Sequence, residues 1–266
     1  MRKLAVVGHV EWVDFIPVKR LPRGGEVIHA PGAFARAAGG GGVVAAVLAE
    51  LGAEVDFFTA LGHDPLGQAA AAQLAERGVR VHAAWRDQPT RRAVTMLDDG
   101  GERTIVTVGE RLAPVGSDRL EWERIREAEG AYFTAGDSAA LALSRAAGVV
   151  VASPRGRAAL EAEGPAIDAL VFSARDADER GWAARLESRA RLVVATDGSN
   201  GGHWWGESRG SWSAVGLPGE PRDSYGCGDS FAAGFTFGLA GGATAATAAA
   251  LGAECGARAL TRPGAP

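Results

Sequence analysis

From residue 131 to the end of the chain, short apolar runs and helical stretches take turns. Strands are expected at 131–134, 149–152, 170–172 and 192–195, with helices such as 139–147 and 177–188 between them. Runs this continuously apolar belong to strands buried on both faces, and a strand–helix–strand repeat demands a parallel sheet covered by helices on both sides. The first half supplies more of the same: apolar runs at 4–7, 55–61 and 80–85, and helices at 43–51 and 68–77, which Gly52 and Gly78 close. A chain of 266 residues, 47% of them hydrophobic, is sufficient for one large α/β domain. Several strands end in small or polar residues: Gly8, Gly62, Gly136-Asp137, Ser153 and Thr196-Asp197-Gly198. Parallel sheets take their ligands beyond those carboxyl ends.

Two segments break the pattern. Residues 10–30 and 92–108 read as two sets of antiparallel strands, the second a hairpin about Asp98-Asp99-Gly100-Gly101. They are expected to form a small lid, with 26–30 as the strand that returns after the turn at 22–25. Near the C-terminus, 201–215 reads as antiparallel edge strands, followed by helices at 230–239 and 243–260.

Charge and composition exclude several classes. A formal charge of −4 leaves no footprint for nucleic acid or an anionic membrane. The only lysines, Lys3 and Lys19, lie too early for a phosphate-binding P-loop or a protein-kinase lysine. Cys227 and Cys255 make neither a disulfide framework nor a metal cluster, and the five histidines lack ligand spacing. No apolar run reaches the roughly 20 residues that span a bilayer, and the expectation is a cytoplasmic protein.

The most distinctive loop is Asp223-Ser224-Tyr225-Gly226-Cys227-Gly228-Asp229-Ser230-Phe231. Its glycines let backbone N–H groups converge as an anion nest, with the positive end of the next helix behind them. Asp229 sits where an anion belongs, so it either caps that helix or acts as a base beside a bound phosphate. A dinucleotide fingerprint is missing after the first strand, and Gly228-Asp229-Ser230 is not a nucleophile elbow. Donors that neutralise a transferred group, together with a carboxylate that takes a hydroxyl proton, are what phosphoryl transfer needs.

This loop resembles the C-terminal signature of the ribokinase-like (pfkB) carbohydrate kinases, D-[ST]-x-G-[AC]-G-D-x-F. The likeness runs in order through Val6-Val7-Gly8, Gly25-Glu26, the cluster 39–42, Leu51-Gly52-Ala53, Leu61-Gly62-x-Asp64-x-x-Gly67, Gly78-Val79, Thr196-x-Gly198-Ser199-x-Gly201 and Ala259-x-Thr261-Arg262-x-Gly264-Ala265. It implies a three-layer α/β/α fold with a mainly parallel central sheet and a small β-lid, all one kinase domain. It implies an ATP-dependent kinase acting on a hydroxyl of a sugar, nucleoside or related polyol, with Mg2+ and a monovalent cation near Asp223. Asp229 becomes the general base, Gly226, Cys227 and Gly228 the anion hole, and Thr196, Gly198, Ser199 and Gly201 the ATP contact. The sugar side falls to Gly39, Gly40 and the lid, and a homodimer through exposed lid edges is expected.

The departures from the family pattern concern the acceptor and the metal. Val43 stands where the family carries a sugar-binding Asn, and a Val side chain cannot hydrogen-bond a hydroxyl. Near the first strand only Glu11 and Asp14 are carboxylates; Asp14 either clamps sugar hydroxyls or is a solvated lid residue. The family's N-x-x-E segment reads Asp176-Ala177-Asp178-Glu179 here, where Asp178 or Asp176 either organises magnesium water or is an acidic helix start. These losses leave a rival reading: a catalytically weak relative that binds a sugar or nucleotide and regulates.

Overall fold

The computed structural model describes residues 1–162 and 166–264. A nine-stranded sheet forms the centre, in the order β13-β12-β11-β10-β9-β8-β1-β4-β5. Its strands are β1 (Lys3–Val7), β4 (Glu54–Gly62), β5 (Val79–Arg86), β8 (Gly130–Phe133), β9 (Val149–Ala152), β10 (Ile167–Ser173), β11 (Ala190–Thr196), β12 (Gly202–Gly206) and β13 (Gly210–Trp212). From β5 to β11 every pairing is parallel; β12 and β13 close one edge antiparallel. β8 and β10 are buried almost throughout, as strands covered on both faces must be.

Strand order reverses at β1. The chain runs from β1 outward to β4 and β5, then returns to β8 on the other side and continues to β11. A crevice opens at the carboxyl ends of strands where order reverses, so the residues after β1 and β8 are where a ligand is expected.

Seven α-helices cover the sheet: α1 (Gly39–Glu50), α2 (Pro65–Glu76), α3 (Ser138–Ser144), α4 (Arg157–Glu161), α5 (Ala177–Leu186), α6 (Cys227–Ala240) and α7 (Ala245–Leu260), counted among the described residues. Their starts follow the sequence closely where a capping side chain exists. Asp64 accepts the Gly67 N–H at 2.7 Å before Pro65, and Thr244 accepts the Thr247 N–H at 3.2 Å.

Two helices begin earlier than expected. α1 takes in all four glycines of 39–42, and α6 starts at Cys227, not at residue 230. Glycine is a poor helix former, so propensity alone places both starts too late.

The second sheet has the order β3-β2-β6-β7, with β2 (Glu11–Pro17), β3 (Phe34–Ala38), β6 (Arg92–Leu97) and β7 (Arg103–Val108). Two expectations are corrected. The returning strand is 34–38, not 26–30, and the two strand sets join through a parallel β2–β6 pair. Residues 26–30 do not pair because Glu26 closes a local turn, accepting the Arg23 N–H at 3.0 Å and binding Arg20. Val13, Phe15, Ala93 and Leu97 belong to the same core as β4 and α1, so the small sheet is anchored on the large one.

Candidate active site

Two helix N-termini meet over the β1 and β8 ends. α1 begins after β3, with Gly39 at φ +79°. α6 begins after Gly226, at φ +72°. In this left-handed region a side chain is strained, and both glycines turn the chain sharply into a helix. The first turn of a helix leaves its N–H groups without intrahelical partners, and several here find partners outside their helix, the Cys227 N–H turning to the Ser224 carbonyl at 3.4 Å. The Gly39 N–H reaches the Tyr225 hydroxyl at 3.4 Å, and the Gly41 N–H the His9 carbonyl at 3.0 Å, which ties the two helix starts to the β1 end.

Asp229 is the third residue of α6, inside the helix and not at its cap; Gly226 holds the cap position, and no side chain caps it. The capping alternative therefore fails. Around the start of α1 the wall closes tightly. A Cβ placed on Gly40 would lie 3.3 Å from Asp229 Oδ1, 3.4 Å from Thr134 Oγ1 and 3.5 Å from His9 Cε1. The Thr134 hydroxyl and His9 Nδ1 are buried without a hydrogen-bond partner. An unpartnered buried polar atom calls for an explanation, a bound water, ion or ligand among them. One carboxylate, one hydroxyl and one imidazole thus converge on the space beside Gly40.

The charges there are shifted. Removal from bulk water raises the Asp229 carboxyl above the usual carboxylate value, the Arg155 and Arg103 guanidinium groups pulling against it and Glu179 adding to it. Burial, reinforced by Arg111, Arg91 and Arg155, holds His9 well below its ordinary value, so the imidazole is neutral. Burial also raises Glu11, against Arg91 and Arg111. The Cys227 thiol is pushed up to about 12 by burial, so it stays protonated and offers its backbone rather than a nucleophile. Beside Gly228 the space is open: nothing lies within 4 Å of its would-be Cβ.

The other predicted residues fall at varied distances from this centre. Thr196, Gly198, Ser199 and Gly201 form the turn between β11 and β12, at the same sheet edge but two strands beyond β9. Arg175 lies across it, bonded to Asp197 at 2.9 Å and to the Ser199 hydroxyl at 3.1 Å. The Thr196 hydroxyl donates to the Phe172 carbonyl at 3.3 Å. Asp14 pairs with Arg92 at 3.0 Å and lies on the opposite face of β2 from Glu11, because successive strand residues alternate. Glu11 is the β2 carboxylate against the Gly39 wall. Asp178 is exposed in the first turn of α5, while Glu179 beside it is buried, accepts the Ser173 N–H at 2.8 Å and pairs with Arg155 at 2.7 Å. Asp223 places one oxygen on the Tyr225 N–H at 2.8 Å and the other on the Gly264 N–H at 2.7 Å, fastening the end of the described chain to this loop. Ala265, counted in the C-terminal match, lies outside the described residues.

Sequence reasoning missed His9, Thr134, Glu179 and the arginines. Glu179 was within reach, since Asp176-x-x-Glu179 keeps the N-x-x-E spacing with Asp for Asn. Nothing local distinguishes His9 or Thr134; only the ends of β1 and β8 lying side by side bring them together.

The model of the pfkB family carbohydrate kinases matches residues 1–153 and 165–266. An ATP-dependent ribose-1-phosphate kinase of Halopiger xanaduensis is 32% identical over 257 residues, covering 88% of this chain and 84% of that protein. Among solved structures, a microbiome-derived acarbose kinase superposes with a TM-score of 0.83 at 26% identity over 99% of this chain and 94% of that one. Arabidopsis thaliana ribokinase complexed with ribose and ATP superposes at 0.79 with 22% identity, again over 99% and 94%. No helix among the described residues is long and apolar enough to cross a membrane. With the fold, the signature loop and these relatives in agreement, the chain belongs to the pfkB family of carbohydrate kinases.

Proposed function

We propose that the chain is one kinase domain that transfers the ATP γ-phosphoryl group to a hydroxyl of a sugar or nucleoside, with Asp229 as base. The observation that carries this is the convergence of Asp229, Thr134 and His9 on the space beside Gly40. An acceptor hydroxyl bound there gives its proton to the Asp229 carboxylate. Its oxygen attacks the γ-phosphorus, and the bond to the β-phosphate oxygen breaks, leaving ADP. The N–H groups of Gly226, Cys227 and Gly228, with the α6 dipole, hold the transferred group's charge. Thr196, Gly198, Ser199 and Gly201 contact the nucleotide, whose segment matches the family in order. On the acceptor side Gly39 and Gly40 form the wall, Glu11 takes the role expected of Asp14, and the small sheet is the lid.

Mg2+ fits this donor set as a cation brought in on the nucleotide. Among the described residues no three carboxylate, His or Cys side chains gather to hold a metal alone. Magnesium commonly keeps its water and phosphate ligands and takes only one or two carboxylates, and the carboxylates of the Asp176–Glu179 segment, Asp178 included, would supply them. When bound, it offsets charge on the phosphates. A monovalent cation near Asp223 would share the oxygens that hold Tyr225 and Gly264. β7 is an edge strand with Ile105, Val106 and Val108 exposed, which supports dimerisation through the lid.

The two curated relatives differ in acceptor: one is named a ribose-1-phosphate kinase, the other a ribokinase. The test is ADP release with ATP across sugars, sugar phosphates and nucleosides, by the wild type and Asp229→Asn. We expect transfer to at least one acceptor, and a loss of about 10²- to 10⁴-fold in the variant, the usual worth of a general base. Comparable turnover by Asp229→Asn sinks the base; nucleotide or sugar binding without any transfer favours the regulatory reading.

A further inference from the structure

The small sheet grips the loop that leads into α6 at two successive residues. On β2 the Phe15 ring meets the Tyr225 ring edge-on, with the centroids 4.9 Å apart. On β7 the first residue, Arg103, turns its Nη1 to Ser224, donating to the carbonyl at 2.9 Å and to the hydroxyl at 2.6 Å. Arg103 has no ion pair among the described residues, so an undiminished positive charge rests on two neutral acceptors of one residue. Burial raises both the Asp229 carboxyl and the Cys227 thiol, and the Arg103 charge pulls each of them down, which puts it beside the α6 start.

The Ser224 carbonyl has a second donor. The Cys227 N–H, one of those proposed for the anion hole, points to the same oxygen at 3.4 Å. Gly226 lies inside the turn this makes; at φ +72° and ψ 3° it has the geometry of the third residue of a type II turn. The Cys227 bond is long, since an N–H···O bond usually measures about 2.9–3.0 Å. The Arg103 bond has that ordinary length, and its donor is charged. A carbonyl oxygen can accept two hydrogen bonds, but the stronger donor sets where it points. Held by Arg103, the carbonyl keeps a loose grip on the Cys227 N–H, and a nearby oxyanion can draw that donor away. Without Arg103 the carbonyl is free to close on Cys227 as an ordinary turn, and one donor is lost to the ligand.

Resting on the kinase reading above, we infer that Arg103 is a positioning residue of the anion hole: by holding the Ser224 carbonyl it leaves the Cys227 N–H free for the transferred phosphoryl group. The hole is then completed by a side chain of the small sheet and not by its own loop alone. The same four-stranded sheet carries Glu11 against the Gly39 wall, so the proposed acceptor wall and the anion hole share one support.

The test measures kcat and both KM values, with ATP and with ribose and ribose 1-phosphate as acceptors, for the full chain, Arg103→Ala and Arg103→Lys. Calorimetry adds the binding of ADP alone and of ADP with aluminium fluoride, which imitates the group in transfer. Arg103→Ala should lower kcat about 10- to 100-fold, somewhat less than deleting an oxyanion donor outright, with both KM values held within about threefold. It should weaken the aluminium fluoride complex about tenfold or more and leave ADP alone unchanged, because the freed donor serves the transition state. Arg103→Lys keeps one charged donor for the carbonyl and should recover part of both. If alanine does not fold, Arg103→Gln, too short to hold the carbonyl, is read for the same split. Turnover is compared at a pH where Asp229 is ionised in every variant; a loss that vanishes there means that Arg103 acts only through its field on Asp229, and overturns the inference. Equal weakening of ADP and of its aluminium fluoride complex, or a loss confined to one KM, overturns it and leaves the kinase reading intact. Arg103-dependent binding of the aluminium fluoride complex without transfer to any acceptor upholds the positioning role and removes the kinase reading. Failure of the wild type to bind either ADP form removes both.

Discussion

The starts of α1 and α6 look alike in sequence, each a glycine-rich turn entering an apolar helix, yet their glycines answer different demands. In α1 they admit neighbours. A Cβ on Gly41 would sit 2.7 Å from the His9 carbonyl oxygen and 3.1 Å from the Gly8 carbonyl carbon, so the helix can approach the β1 end only without side chains. In α6 Gly228 has nothing within 4 Å of its would-be Cβ, so the space beside the helix start is open. One cluster serves close packing and lines the wall proposed for the acceptor; the other leaves open the space proposed for the phosphoryl group. The loss of the family's Asn at Val43 belongs to the first cluster, where Val43 is buried in the core.

Alanine substitution separates the two sharply. Gly41→Ala meets backbone atoms that cannot move cheaply, and despite alanine's better helix propensity it should lose about 1–3 kcal/mol, seen as a Tm lowered by several degrees. Gly228→Ala should leave Tm unchanged or slightly raised and reduce transfer at least about tenfold, since its methyl group enters the space proposed for the γ-phosphoryl group. Thermal melts and turnover on both variants decide it. A destabilised Gly228→Ala, or a stable Gly41→Ala, would erase the distinction.

Gly40 lies between the two cases, because its neighbours are side chains of the proposed site. Gly40→Ala puts a methyl group among Asp229, Thr134 and His9 at 3.3–3.5 Å. The expected result is a folded protein whose acceptor KM rises about tenfold, the discrimination a pocket makes over one methyl-sized group, while the ATP KM holds. An effect confined to ATP would move the acceptor site elsewhere.

The layers and most of the helices were legible because apolar periodicity and capping residues are local signals. Asp64 before Pro65 announces α2, and the 149–152 run is β9 as expected. The strand Phe34–Ala38 was not legible: it is Phe-Ala-Arg-Ala-Ala, poor in β-branched residues, and it is a strand because β2 pairs with it. At the α6 start, glycine spacing suggests an anion nest, but spacing alone leaves Asp229 open between cap and base. Sequence does not separate Asp14 from Glu11, because strand register is invisible before pairing is known and a shift of one residue exchanges the two faces. The arginines at 91, 111 and 155 stand far apart in sequence, where each looks like an ordinary solvated charge.

The smallest effect concerns protonation, and its sign tests whether Asp229 and Glu179 share a field. As the proposed base, Asp229 must be ionised to accept the proton, so activity should fall as pH drops through its pKa, and burial puts that expected fall above the usual carboxylate range. Glu179 adds to the rise and Arg155 opposes it. Glu179→Gln removes a negative charge and also releases Arg155 from its 2.7 Å pair, and both changes favour ionised Asp229. The acid limb of kcat/KM should therefore shift to lower pH in Glu179→Gln and to higher pH in Arg155→Gln. Shifts in the same direction, or none, would separate Asp229 from these neighbours and leave the α6 start acting through its backbone alone.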